Sequence, residues 1–188
     1  DAMSRAKRLI VVGGDFIGCE VAAAGVLRGI DTTVIEVGPY ILNQAFDEPT
    51  GRWVMDYLIA KGMKVRCGER AAEFLGEGGR LTGVETSGGS RIPTDLAVVG
   101  VGLAPNTDLA MAAGLRVENG IVVNERLETS APNVYAAGDV ARFYSPVFDR
   151  HFRVEHYDVA VRHGKVAGAN MAGAGIAFGE LPYFFSDM

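Results

Sequence analysis

Six residues near the start of the chain, Gly13-Gly14-Asp15-Phe16-Ile17-Gly18, lie between an apolar run and a helical pattern. Glycines in such a turn permit a tight bend, close backbone approach to a diphosphate, and close packing of a helix on a strand. Gly13 suits the first task and Gly18 the last. A helix starting behind the turn offers unpaired N–H groups and the positive end of its dipole, which together attract an anion. Glu36 follows about twenty residues on, at the end of the next predicted strand, where a carboxylate can accept from both hydroxyls of an adenine ribose. The same charge repels a 2′-phosphate, so NAD is favoured over NADP. Asp15 departs from the pattern. It occupies the second glycine position and adds bulk and like charge where phosphate should come close, at a cost of about 1 kcal/mol in water and several in a less polar site. The competing reading is that Asp15 turns outward and caps the helix.

Other side chains offer less. Cys19 and Cys67 are the two cysteines, too few for a disulfide framework and not a C-x-x-C pair. Both read as small core residues, Cys19 on a helix and Cys67 on a buried strand. Glu20 lies one turn into the first helix, where a capping or solvated role competes with a place beside a bound nicotinamide. His151 and His163 read as surface residues. No cluster suggests a metal.

The elements that must position these residues are visible as periodicity. Arg8 to Val12 is a short β-branched run, read as a buried parallel strand. Helical spacing runs from Phe16 to Arg28, with Gly29 as its stop, and Thr32 to Val37 is the next strand. This βαβ beginning demands a right-handed crossover and a parallel sheet. Asp47 reads as an N-cap, with Pro49 in the first turn of a helix to about Lys61. Trp53, Leu58 and Ile59 are expected to supply much of its buried face. Met63 to Cys67 is a third strand. From Arg70 to Pro93, alternating stretches broken by Gly78-Gly79 and Gly88-Gly89 predict an antiparallel meander. Asp95 to Gly102 returns to the parallel sheet, and the break through Pro105 and Asn106 marks a boundary. Beyond it the sequence predicts a short helix near Asp108 to Ala113, a hairpin-like stretch from Leu115 to Val123, a strand at Val134 to Ala136, and a long helix from about Val154 to Met171.

Composition narrows the class. The chain has 188 residues, 48% of them apolar, and a formal net charge of −5, which leaves no basic footprint for nucleic acid. No apolar run approaches the ~18 residues of a membrane span, and the start lacks a secretory signal. A reducing cytoplasm is the expectation.

Five segments taken together resemble the pyridine nucleotide–disulfide oxidoreductase superfamily of two-dinucleotide flavoproteins. They are VVGGDFIGCE (11–20), VIE (34–36), VVGVGLAPN (98–106), TSAPNVYAAGDVA (129–141) and RVEHYDVAVRHGKVAGANM (153–171). The tail is similar to the branch of ferredoxin reductases, rubredoxin reductases and apoptosis-inducing-factor-like proteins. The resemblance implies an α/β fold: a Rossmann-like NAD-binding domain (1–105), parallel sheet plus meander, then the second half of a split FAD-binding domain (106–179) and the opening of an interface domain (180–188). It implies NAD(H) held by Gly13, Gly14, Asp15, Phe16, Ile17, Gly18 and Glu36, with Gly100, Val101 and Gly102 near the nicotinamide. It implies FAD contacted by Gly138 and Asp139; a helix N-cap at Asp139 is compatible with that. Glu20, Glu155 and His156 would border the rings, with no certain catalytic side chain. The implied activity is hydride transfer from NADH to FAD and electron delivery to a ferredoxin-like, rubredoxin-like or quinone-like acceptor. A non-catalytic nucleotide-sensing module and a dithiol reductase are the alternatives. Residues 1–105 should fold alone. Residues 106–188 are expected to be partly disordered, swapped with another copy or rearranged, and the chain by itself to carry no FAD.

Overall fold

A computed structural model describes residues 2–188. The chain divides into two compact units. One runs to Gly102 and includes Ser186–Met188; the other is Leu103–Phe185.

The first unit is built on the expected crossover. Strand β1 (Arg8–Val12) leads into helix α1 (Phe16–Leu27), then β2 (Asp31–Glu36), α2 (Glu48–Ala60) and β3 (Lys64–Cys67). The meander follows as β4 (Ala71–Glu77), β5 (Arg80–Thr86) and β6 (Arg91–Pro93), and β7 (Leu96–Val99) returns to the parallel sheet. The strand order is β3-β2-β1-β7, with Leu9 paired to Thr32 on one side and to Leu96 on the other. A central parallel strand is covered on both faces, which is why β1 is an unbroken apolar run. Leu9 and Val11 join Cys19, Ala22, Val34 and Leu58 in one core cluster. Ile10 and Val12 point the other way and pack with Ile35 and Val84 of the meander.

Asp47 caps α2, its carboxylate accepting from the Thr50 N–H at 3.2 Å. The expected buried face of α2 needs correction. Leu58 is buried, but Trp53 is 69% exposed and Ile59 43%. The packed stripe is Gly51, Val54, Met55 and Leu58, spaced by three and four residues. Trp53 and Ile59 fall outside it despite their size, and Trp53 instead stacks on Tyr57 at 6.1 Å. Cys19 is fully buried as expected, while Cys67 is only partly so.

The second unit contains α3 (Asp108–Ala112), β8 (Ile121–Val123), β9 (Ala141–Ser145), β10 (Arg150–Phe152) and α4 (Tyr157–Met171). Its sheet has the order β10-β9-β8, with β8 and β9 parallel and β9 and β10 antiparallel. A core of Val123, Leu127, Ala141, Phe143, Ala167 and Phe178 closes over it. The strands of this segment pair with each other. The hairpin-like stretch is a single bridge from Val117 to Ile121 leading into β8. Val134–Ala136 is not a strand; Tyr135 makes one isolated bridge with Glu128. The β9–β10 hairpin was not anticipated, although Ala141–Ser145 alternates buried and half-buried positions as a strand should. Helix α4 starts three residues later than expected, because His156 caps it through Nδ1, which accepts the Asp158 N–H at 3.2 Å. His163 is not a surface residue. It is fully buried, on the α4 stripe of Val159, His163, Ala167 and Asn170.

Candidate functional site

In the first unit the candidate residues converge at the carboxyl ends of the parallel strands, where β1 has neighbours reached by connections on opposite sides. Open α/β sheets bind ligands at such a point. Gly13 follows β1 with φ +103° and donates its N–H to Ile35 O at 2.9 Å. A Cβ on Gly13 would lie 1.9 Å from Gly100 O, and one on Gly18 would lie 2.0 Å from Gly13 O. The turn, the start of α1 and the end of β7 therefore touch backbone to backbone, and only glycine fits. The first N–H groups of α1 have no acceptor within the helix by construction, and the turn aims them across the strand ends.

Glu36 ends β2 and is buried, at 6% exposure. One carboxylate oxygen accepts the Gly14 N–H at 2.6 Å; the other accepts the Gly38 N–H at 2.6 Å and the Asn43 side-chain amide at 3.2 Å. Glu36 thus faces the glycine turn and pins it. A carboxylate has about four acceptor directions, so the three donors leave one for a further hydroxyl, where the sequence reading expects two. Asn43 had no signal in the sequence, because its role appears only once the loop after β2 folds back.

Asp15 is the N-cap residue of α1, with extended backbone, but its side chain makes no capping hydrogen bond. The capping part of that reading is therefore not what the structure shows. Phe16 packs edge-on against Phe46 at 5.9 Å, and Ile17 is 63% exposed. Val101 and Gly102 are exposed beyond β7. Glu20, a candidate to border a ring, accepts from Ser186 Oγ at 2.6 Å and from the Asp187 N–H at 3.3 Å. Burial pushes the Cys19 thiol up to about 12, with the charges of Asp15, Glu36 and Glu20 adding to the effect. Burial also raises that of Cys67. Neither thiol is a ready thiolate at neutral pH.

In the second unit Gly138 and Asp139 form a tight turn, Gly138–Val140, just before β9. Gly138 has φ +75°, and a Cβ there would meet Ala160 of α4 at 3.4 Å. The Gly138 N–H donates to His163 Nδ1 at 3.3 Å, and Arg153 donates from Nη1 to Asp139 O at 2.8 Å. Arg153 also pairs with Glu155 at 2.6 Å. Glu155 is thereby tied to the turn, while His156 is occupied by the α4 cap and by the Phe185 backbone, 3.2 Å from Nε2. The sequence reading missed Arg153 and His163. For His163 the signal existed, in its place four residues after Val159 and four before Ala167 on one helical face.

The parallel sheet with a glycine turn at its strand ends is of the dinucleotide-binding type. The chain belongs to the pyridine nucleotide-disulphide oxidoreductase family, which it matches over residues 1–164. It is 39% identical over 185 residues to the anthranilate 1,2-dioxygenase system ferredoxin–NAD(+) reductase component of Burkholderia cepacia, covering 97% of this chain and 45% of that protein. It superposes on the crystal structure of the ferredoxin reductase for the CYP199A2 system of Rhodopseudomonas palustris with a TM-score of 0.90 at 36% identity, covering 98% and 46% of the two chains. It superposes on the covalent putidaredoxin reductase–putidaredoxin complex with a TM-score of 0.87 at 35% identity, covering 96% and 44%. The chain thus spans less than half the length of these relatives.

Proposed function

We propose that this chain carries the NADH site and the FAD-contacting turn of a FAD-dependent NADH oxidoreductase that reduces a small ferredoxin-like or rubredoxin-like protein. The observation that carries this reading is the backbone contact of Gly13, Gly18 and Gly100 beside Glu36. Those residues fit a nucleotide. The glycines let the turn, the start of α1 and the residue after β7 close to backbone contact, which sets the head of α1 over the strand ends; α1 offers N–H groups to a diphosphate, and the remaining acceptor direction of Glu36 suits a ribose hydroxyl. Gly138 and Asp139 fit FAD in the same way, with left-handed backbone and an exposed carboxylate at a tight turn.

Gly13, Gly14, Gly18 and Glu36 would hold NADH, and Gly138 and Asp139 would contact FAD, the pair supplying hydride and electron-transfer chemistry when bound. The chain's own residues bind and orient. None needs to act as nucleophile or base, and the two thiols are held protonated. The acceptor class follows from the relatives, one of which is captured with its redox partner. Two free thiols suit a reducing compartment, and we place the protein in the cytoplasm. No helix among the described residues is long and apolar enough to cross a membrane.

Asp15 favours one other reading, a nucleotide-sensing module without turnover, because its charge opposes a phosphate. Anaerobic addition of NADH to the full-length protein separates them. Rapid bleaching of the flavin absorbance is expected, and a flavin that stays oxidised would leave the sensing module.

A further inference from the structure

We propose that His163 is a positioning residue for FAD, which with Arg153 fixes the Gly138–Asp139 turn from both ends. The inference rests on the reading that this turn contacts the flavin cofactor. Gly138 sits in left-handed backbone, which glycine enters without strain but does not by itself favour over other conformations, so partners outside the turn select this one. At its start, the Gly138 N–H donates to His163 Nδ1. At its other end, the Asp139 carbonyl accepts from Arg153. Arg153 is itself 10% exposed and anchored by Glu155, and its Cδ lies 2.8 Å from where a Cβ on Gly120 would sit.

The ring of His163 is immobilised. Phe143 and Phe178 meet it edge-on at 4.6 Å and 4.5 Å between centroids. With Nδ1 accepting, the neutral ring carries its proton on Nε2, and that buried atom has no partner among the described residues. Burial holds the ring neutral by lowering its pKa to about 4, so Nδ1 stays an acceptor in the neutral range. An unpaired buried N–H is unfavourable. A leucine of similar volume would pack between the two phenylalanines without that cost. What leucine cannot do is accept the Gly138 N–H. The retained imidazole therefore points to the turn, not to the core, as the reason for its presence.

The test uses full-length protein, comparing wild type with His163→Leu and His163→Gln. The readouts are the FAD dissociation constant of the apoprotein, the midpoint potential of the bound flavin, and the thermal midpoint of the apoprotein. His163→Leu is expected to bind FAD roughly tenfold more weakly, as the loss of one oriented hydrogen bond predicts, and to shift the potential, with no lower apoprotein thermal midpoint. His163→Gln, which restores an acceptor, recovers most of both. Unchanged FAD affinity and potential in His163→Leu would overturn the proposal, as would a loss that glutamine does not repair at all. Should His163→Leu fail to fold, Arg153→Lys loosens the opposite end of the turn, with weaker FAD binding expected and unchanged binding overturning the clamp. A wild-type protein unable to bind FAD would instead sink the functional reading, and this proposal with it.

Discussion

Asp15 is the residue at which recognition and electrostatics conflict. It begins α1 where the pattern asks for glycine, and its side chain does not cap the helix. With Glu36 and Glu20 it forms the group of carboxylates whose charge acts on the Cys19 thiol, so an anion bound at the head of α1 would lie in a negative field. Removing one of those charges should strengthen diphosphate binding. Asp15→Gly is expected to tighten NADH binding about fivefold, corresponding to roughly 1 kcal/mol of relieved repulsion. Titration of both full-length forms at low ionic strength measures it, and the gain should shrink as salt screens the repulsion. Equal dissociation constants would mean that the Asp15 carboxylate is turned from the phosphates. Glu36 shows the opposite economy. The same carboxylate that the spacing assigns to a ribose already organises Gly14, Gly38 and Asn43, so the residue that would select the nucleotide also shapes the loop receiving it.

At the scale of elements, the turn works because α1 and β1 approach until their backbones meet. A Cβ on Gly18 would lie 2.0 Å from Gly13 O, too near for any rotamer change to relieve, so α1 must move off the strand. Gly18→Ala is expected to lower stability by on the order of 3 kcal/mol and to abolish NADH binding. Gly164→Ala is the control: it lies on α4 with open space around its position, and it should stabilise by about 0.5–1 kcal/mol through helix propensity. Urea unfolding of the three proteins gives both values. The same contrast explains what was legible in the sequence. Residues whose type is dictated by their own backbone, such as Gly13, Asp47 and the run of β1, announce themselves locally. The parallel sheet and meander follow from them. Where a long-range partner decides the outcome, local signals mislead. Trp53 looks like core by composition but lies off the packed stripe of α2. Val134–Ala136 has strand-like residues and only one bridge to pair with. His163 looks polar and is buried, because the core between Phe143 and Phe178 has room for a neutral ring and the turn beside it needs an acceptor. Asn43 is invisible until Glu36 is in place.

For the molecule as a whole, each unit has its own core, and that of the second holds a histidine. This makes acid stability a property of where one ring sits. Burial lowers the His163 pKa from 6.5 to about 4, so between those values the unfolded chain binds a proton that the folded chain refuses. Stability then rises with pH across that window. It is complete above about 6.5 and falls progressively as the pH drops towards 4, by an upper bound of roughly 3 kcal/mol. Carboxylates act lower down. Arg8 beside Asp95, Arg66 beside Glu69, and Arg116 and Arg142 beside Glu118 hold those acids below their ordinary values through hydrogen bonds and charge. Their contributions are present above the usual carboxylate range and are lost only as the pH falls through it. The carboxylates enter only at the lower edge of the interval between about 6.5 and 4.5, and their share is common to wild type and His163→Leu. Urea unfolding at pH 7, 6, 5 and 4.5, followed by circular dichroism, should show wild type losing stability across this interval while His163→Leu stays nearly flat. Parallel losses in the two proteins would mean that the ring is not desolvated in the folded state. The neutral acceptor it offers to Gly138 would then have to come from a hydrated imidazole, not from one held dry between two phenylalanines.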